Sequence, residues 1–378
     1  MSARPNAARI DRLNIGLIIL SCLAAFVLPF ELFLFSYAVL GPLHYFTEIS
    51  WLHDKNYYAK DRRDILLLLL LSLVIVGMGW IQKTDGGLAL WSNHFNEQQT
   101  EYLASHLFFI ALGSAMFFVF IRKPFLKWVG VLILCLLVVV SKHFWIVFGI
   151  FLPTLIHVFI FTSIFMLFGA LKSKSKTGYM AVGLHLLCPF ILIFCLPGVS
   201  PIDLTNYGKE AYSEGFSFMN FHLLLRGFDL SSHGEMGEAE WMNLIFHSPE
   251  GIAVMRCIAF AYTYHYLNWF SKTEIIRWHK VPKSRFALVI IGSVVSIGIY
   301  AWDYTLGVQW LLLLSVLHLV LEFPLNWISA VGVFTELRDR IQTWLGSRRV
   351  PGSIIADGAG SLLVEKDTAL DARVDKAA

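Results

Sequence analysis

Charge is scarce in this sequence. Only 15% of its 378 residues are Asp, Glu, Lys or Arg, while 57% are hydrophobic. A mean hydropathy of +0.63 excludes an ordinary soluble domain. Cysteine is scarce too: Cys22, Cys135, Cys188, Cys195 and Cys257 all lie in apolar segments, and no two form a CxxC pair. Burial as small hydrophobes accounts for them better than a disulfide framework or a zinc ribbon. There is no GxGxxG before a helix, no GxxxxGKS/T, GxSxG or HExxH, and no HxxHH-type box of the membrane desaturases. No basic patch interleaved with aromatics argues for nucleic acid as a partner. The short alternating segments of a β-barrel are missing as well.

What remains is a series of long apolar runs, at about 13–30, 31–52, 64–81, 102–121, 125–141, 145–171, 178–197, 251–270, 286–302 and 306–327. Each fits a helix across a hydrocarbon core of about 30 Å, because a helix satisfies its own backbone polar groups in lipid. The expected fold is therefore an all-α polytopic membrane protein with about ten transmembrane helices. With the amino terminus cytoplasmic, 25 of the 30 Lys and Arg residues fall on the cytoplasmic side; the exceptions are Lys83, Lys142, Lys209, Arg226 and Arg256. Both termini are therefore expected inside. Arg4, Arg9 and Arg12 precede the first run and no small-residue cleavage site follows it, as in a retained anchor. The organisation is a cytoplasmic segment 1–12, a helical domain 13–330 and a tail 331–378 that is disordered after about 351. An acidic outer loop at 198–250 contains "FSFMNFHLLLRGF" and "EWMNLIFH", which read as short helices on the membrane surface, either a cap over a site or a passive loop.

Ionisable groups at membrane depth are costly, so they mark candidate sites. His44, His157, His265 and His318 lie in four runs with the same expected direction, about 12 to 14 residues from the outer end of each. They share one depth, and neighbouring helices would bring them together. His185 reaches a similar depth from the opposite direction and is a fifth candidate. His44 is followed at i+4 by Glu48, and His318 by Glu322, which places each pair on one helix face. Imidazole with carboxylate suits a metal site, and mutual neutralisation of buried polar groups is the competing account. His53, about 180° around the helix from His44, is expected at the cytoplasmic edge. His106, near an outer end, and His143, His222, His233, His247 and His279, in loops, are expected to be solvated or interfacial. Arg256 and Asp303, near outer ends, are expected to snorkel.

The segments around the four histidines resemble a family, the Brp/Blh-type membrane β-carotene 15,15′-dioxygenases found with microbial rhodopsins. "GPLHYFTE" is similar to its "PHGALD" motif, and "LPTLIHVFIF" to its middle-helix histidine. "YTYHYLNWFS" resembles "HSRRHF", and "SVLHLVLEF" resembles "PHMILID". The resemblance covers about half of the chain. It implies that His44, His157 and His265 are iron ligands, with His318 on the same wall and able to complete the set. Trp269 stands where the family has a second histidine, and Glu48 and Glu322 stand where it has Asp. A substrate other than β-carotene is therefore admitted.

The leading expectation is a non-haem Fe(II) oxygenase of the bacterial inner membrane, cleaving or oxidising a carotenoid-like polyene with O2 to a retinal-type product. Glu48 and Glu322 would orient or balance the ligands, and Tyr45, Tyr264, Tyr266 and Trp269 would line a tunnel for a lipid-like substrate from the bilayer. The alternatives are a haem-binding electron-transfer protein and a proton-coupled transporter using the same His and Glu residues.

Overall fold

The computed structural model describes residues 7–55, 61–83, 97–140, 147–217, 219–220, 223–224, 237–277 and 279–347. Among them the regular structure is helical, with no strand. The helices are α1 (Ala7–Val27), α2 (Pro29–Phe35), α3 (Gly41–Lys55), α4 (Arg62–Lys83), α5 (Glu97–Phe120), α6 (Pro124–Val140), α7 (Thr162–Ser173), α8 (Lys176–Phe190), α9 (Asn206–Gly215), α10 (Glu238–His247), α11 (Pro249–Ser271), α12 (Thr273–Ile276), α13 (Lys283–Trp302) and α14 (Tyr304–Ser347). Six helical segments are long and apolar enough to cross a membrane, and α10 with α11 makes a seventh if that pair is one span. The other expected spans are also helical: α2 and α3 over 31–52, α4 over 64–81 and α6 over 125–141.

Three π-helical segments interrupt or extend these helices, and each lies beside a proline. Ser36–Leu40 joins α2 to α3 just before Pro42, Val147–Phe161 contains Pro153 and leads into α7, and Ile191–Cys195 extends α8 after Pro189. Proline has no N–H to give the carbonyl four residues back. A widened turn absorbs the mismatch, as where Gly41 N–H bonds to Ser36 O. Two of these adjustments stand immediately before His44 and around His157, so the sequence bends the helices where the candidate ligands sit.

α14 departs from expectation. At 44 residues it is about 66 Å long, roughly twice the hydrocarbon thickness. Positions 331–347, assigned from the sequence to the tail, continue the last helix. The stretch after 351 lies outside the described residues.

The outer loop packs onto the end of the bundle. Tyr212 of α9 and Phe246 of α10 bury their rings against Phe30, with centroids 5.1 and 5.0 Å away. Glu31 Oε1 accepts the Thr205 N–H at 2.9 Å. Burying such side chains contributes about 1.5–3 kcal/mol each, enough to hold this part of the loop against α2. "EWMNLIFH" forms α10 as expected; "FSFMNFHLLLRGF" lies partly outside the described residues. α10 turns into α11 through 67°. A Cβ on Gly251 would fall 2.2 Å from the Leu244 carbonyl oxygen, so this corner requires glycine.

Two apolar clusters fill the bundle, one around α1, α2, α8, α11 and the loop, the other around α4, α5 and α14. His44 borders both, its ring centroid lying 5.8 Å from that of Tyr45 and 5.5 Å from that of Trp269.

Candidate metal centre

α3, the Val147–Phe161 segment, α11 and α14 deliver His44, His157, His265 and His318 to one buried cluster. His44 Nε2 lies 3.2 Å from His265 Nε2, and His157 Nε2 lies 3.1 Å from His318 Nε2. Ring centroids across the cluster are 4.8 to 5.4 Å apart. Two nitrogens bound at about 2.1 Å to one ion are about 3.0 Å apart at a right angle and about 3.4 Å apart at the tetrahedral angle. The spacings fall inside that interval. A bis-histidine haem needs about 4.2 Å between the two nitrogens, with a flat macrocycle between the rings; neither close pair leaves that space.

The carboxylates complete the set. Glu48 Oε2 is 3.0 Å from His44 Nε2, as the i, i+4 spacing predicts. Glu322 shares a possible ligand group with His318, as their spacing predicts, and also reaches another helix: its Oε2 lies 3.5 Å from Nδ1 of His157. The His318 ring stacks on Tyr45, centroids 4.3 Å apart and 28° from parallel, while the glutamate one turn later reaches across the helix interface. Two groups of side chains can hold a metal ion: His44, His265 and His318, and His157, His318 and Glu322. His318 belongs to both, so its position allows it to ligate rather than only form part of the wall.

Three observations fit a cation to these residues. The two glutamates are buried and would together carry two negative charges when ionised. Burying such charges unpaired costs several kcal/mol per ion, and one divalent cation balances both. Apart from these histidine contacts, Glu48 Oε2 and Glu322 Oε2 make no hydrogen bond among the described residues, leaving lone pairs for a ligand. Finally, Thr162 Oγ1 lies 2.8 Å from Nδ1 of His265. A proton donated from that nitrogen leaves Nε2, the atom facing His44, as an electron-pair donor.

Beside the cluster lies a small cleft, open to its surroundings at one side. His44, Glu48, His157, His265 and Glu322 form its inner end, with Phe161, Phe165, Trp269 and Leu325 along its walls. Of the four aromatics expected to line a tunnel, Trp269 does so. Its indole N–H donates to Thr47 Oγ1 at 2.9 Å, which fixes the ring where the resemblance has a histidine. Tyr45 and Tyr266 instead join hydroxyl to hydroxyl at 2.7 Å, against the far sides of His318 and His44. Tyr264 points away from the cleft and donates to Asn14 Oδ1 at 3.2 Å.

His185 is buried among the rings of Phe159, Phe260 and Tyr264 and belongs to neither ligand group. His53, His247 and His279 are exposed as expected, and His143, His222 and His233 lie outside the described residues. Two expectations fail. His106 is buried and bonded to the Tyr102 carbonyl, a helix-internal contact one turn back. Arg256 does not snorkel: it is fully buried and donates to the carbonyls of Pro197 and Val199 at 2.6 and 2.8 Å. Those carbonyls follow the end of α8 and lack a helical partner, so the guanidinium supplies one. Asp303 is exposed, as snorkelling requires, and its Oδ1 accepts the Leu306 N–H at 2.9 Å.

Thr162, Asn268, Lys272 and Asn326 also line the cleft. Their signal in the sequence is spacing: Asn268 and Lys272 stand three and seven residues after His265, and Asn326 four after Glu322, so they share the histidine face. No protein family, curated protein or solved structure matches this chain.

Proposed function

We propose that the protein is a membrane-embedded, iron-dependent oxygenase that oxidatively cleaves a long apolar polyene, acting in the cytoplasmic membrane of a bacterium. The observation that carries this reading is the convergence of four histidines from four helices on one buried cluster bordered by an apolar cleft. The same four histidines carry the resemblance to the carotenoid-cleaving family, which supports both the iron and the polyene. The ten-span topology with both termini inside rests on the distribution of Lys and Arg.

An Fe(II) ion held by these residues would supply O2 activation. The chain's own residues do the rest. His44, His157, His265 and His318 hold the ion, and Thr162 keeps His265 in the tautomer that can ligate. Glu48 and Glu322 balance the charge, so a divalent ion can be buried without a net charge in lipid. Phe161, Phe165, Trp269 and Leu325 keep water off the reacting chain and hold it along the cleft, the entropic share of catalysis.

The test is expression in a carotenoid-producing bacterium, followed by pigment extraction and metal analysis of the purified protein. Stoichiometric iron without a Soret band, with carotenoid consumed by the wild type and spared by His44→Ala, is the expected result. Iron-free protein that leaves the pigments intact would favour the proton-coupled transporter, and a Soret band would favour haem.

A further inference from the structure

The last helix outruns the bundle it belongs to. Trp310 donates to Ser296 Oγ at 2.8 Å, which fixes α13 and α14 as a hairpin and puts Lys283, where α13 begins, level with about position 323 of α14. The rest of α14 continues past that level. Glu336 Oε1 lies 3.8 Å from Lys172 Nζ, and Arg340 donates to the Leu171 carbonyl at 2.7 Å and to the Tyr179 hydroxyl at 2.9 Å. Those partners flank the loop "KSKSK" at 172–176, whose lysines belong in water or among head groups. Positions 336–340 therefore stand outside the hydrocarbon, held against the end of α7.

The exposed face of this stretch is apolar where water would favour polar residues. Trp327, Phe334, Leu337 and Ile341 are 54%, 70%, 43% and 57% exposed, and Leu337 and Ile341 lie at or beyond the level of the lysine loop. Trp327, Phe334 and Ile341 recur every seven residues, with Ala330, Leu337 and Trp344 three residues after each. That is the a and d spacing of a coiled-coil seam, which keeps one stripe turned toward a partner helix. The intervening outer positions, Thr335, Glu336, Asp339, Gln342 and Thr343, are all polar.

We propose that this stripe is a self-association surface: the protruding ends of α14 from two copies of the chain pair as a parallel two-stranded coiled coil about an axis along the membrane normal. Copies inserted in one membrane in one orientation share the direction of α14, so a two-fold pair is parallel by symmetry. The charges agree with that. Arg338 holds an e position and Arg340 a g position; in a parallel pair they fall opposite positions 333 and 345, which are Val and Leu. An antiparallel pair would set e against e and g against g, turning the arginines toward one another. Two heptads make a short zipper, and holding both copies in one membrane raises their effective concentration.

The test is disulfide trapping of the full chain in the membranes of the expressing cell, with Leu337→Cys on the stripe and Asp339→Cys on the outer face. The wild-type chain, with its five cysteines, sets the baseline. Mild oxidation should give a reducible band at twice 42.9 kDa, about tenfold faster for Leu337→Cys than for Asp339→Cys, since only the d position lies on the seam. In detergent, light scattering should read a dimer for the wild type and a monomer for the double variant Leu337→Glu, Ile341→Glu, with helical content unchanged. Equal trapping at the two positions overturns the pairing. So does slow trapping with position 337 shielded from a water-soluble thiol reagent: shielding that persists in a detergent-solubilised monomer would place the chain's own residues 348–378 on the stripe, and shielding lost in detergent would place lipid there.

Discussion

Replacing His318 with alanine separates a ligand from a buried histidine, and His185→Ala is the matched control. The two side chains are 2% and 0% exposed, and both lie among aromatic rings, His318 on Tyr45 and His185 between Phe159 and Tyr264. Each truncation removes one imidazole from a packed interior, at about 2–4 kcal/mol. Stability should therefore fall similarly in both. Metal binding should not. His318 is the member common to both possible ligand groups, so its loss leaves two donors in each. Even removing a group that only orients a ligand lowers metal affinity 10- to 100-fold. Loss of a ligand should exceed about 100-fold, or roughly 2.8 kcal/mol at 1.4 kcal/mol per tenfold. The assay is metal content after dialysis against a chelator, with thermal unfolding of the same preparations. His318→Ala should lose its metal, while His185→Ala keeps the wild-type stoichiometry at a comparable melting temperature. Equal retention by both variants would refute the assignment, and metal lost from both alike would mean that folding, rather than ligation, governs occupancy.

Glu322→Gln preserves shape but removes one of the two charges that balance a divalent ion, so affinity should fall about 10- to 100-fold; competition with a graded series of chelators measures it. Gly251→Ala would place a methyl 2.2 Å from the Leu244 carbonyl oxygen, and neither backbone can retreat from the corner. A cost of about 3 kcal/mol or more is expected, visible as a lowered melting temperature. Wild-type stability in this variant would show that the corner can open.

Much of this protein is legible in its sequence because lipid leaves a backbone few choices. The described residues of the apolar runs are mainly helical, as expected of a backbone that must satisfy its own peptide groups in lipid. The shared depth of His44, His157, His265 and His318 follows equally from counting residues, because rise per residue is constant along a helix. Counting does not say which helices are neighbours or which way a side chain is turned about its axis. Glu322 shares a possible ligand group with His318, as their i, i+4 spacing predicts, but the same group includes His157 of another helix, 3.5 Å from its Oε2, which no spacing shows. His185 and Tyr264 share the depth of the site and are turned toward each other. Arg256, expected to snorkel, is instead held by two carbonyls after α8. Sequence by itself determined the helices and the heights of the four histidines, quantities set by local backbone geometry. Tertiary packing decided their azimuth and their partners, and with them the cleft from the histidines to Lys272, because those depend on contacts between residues as far apart as His44 and His318.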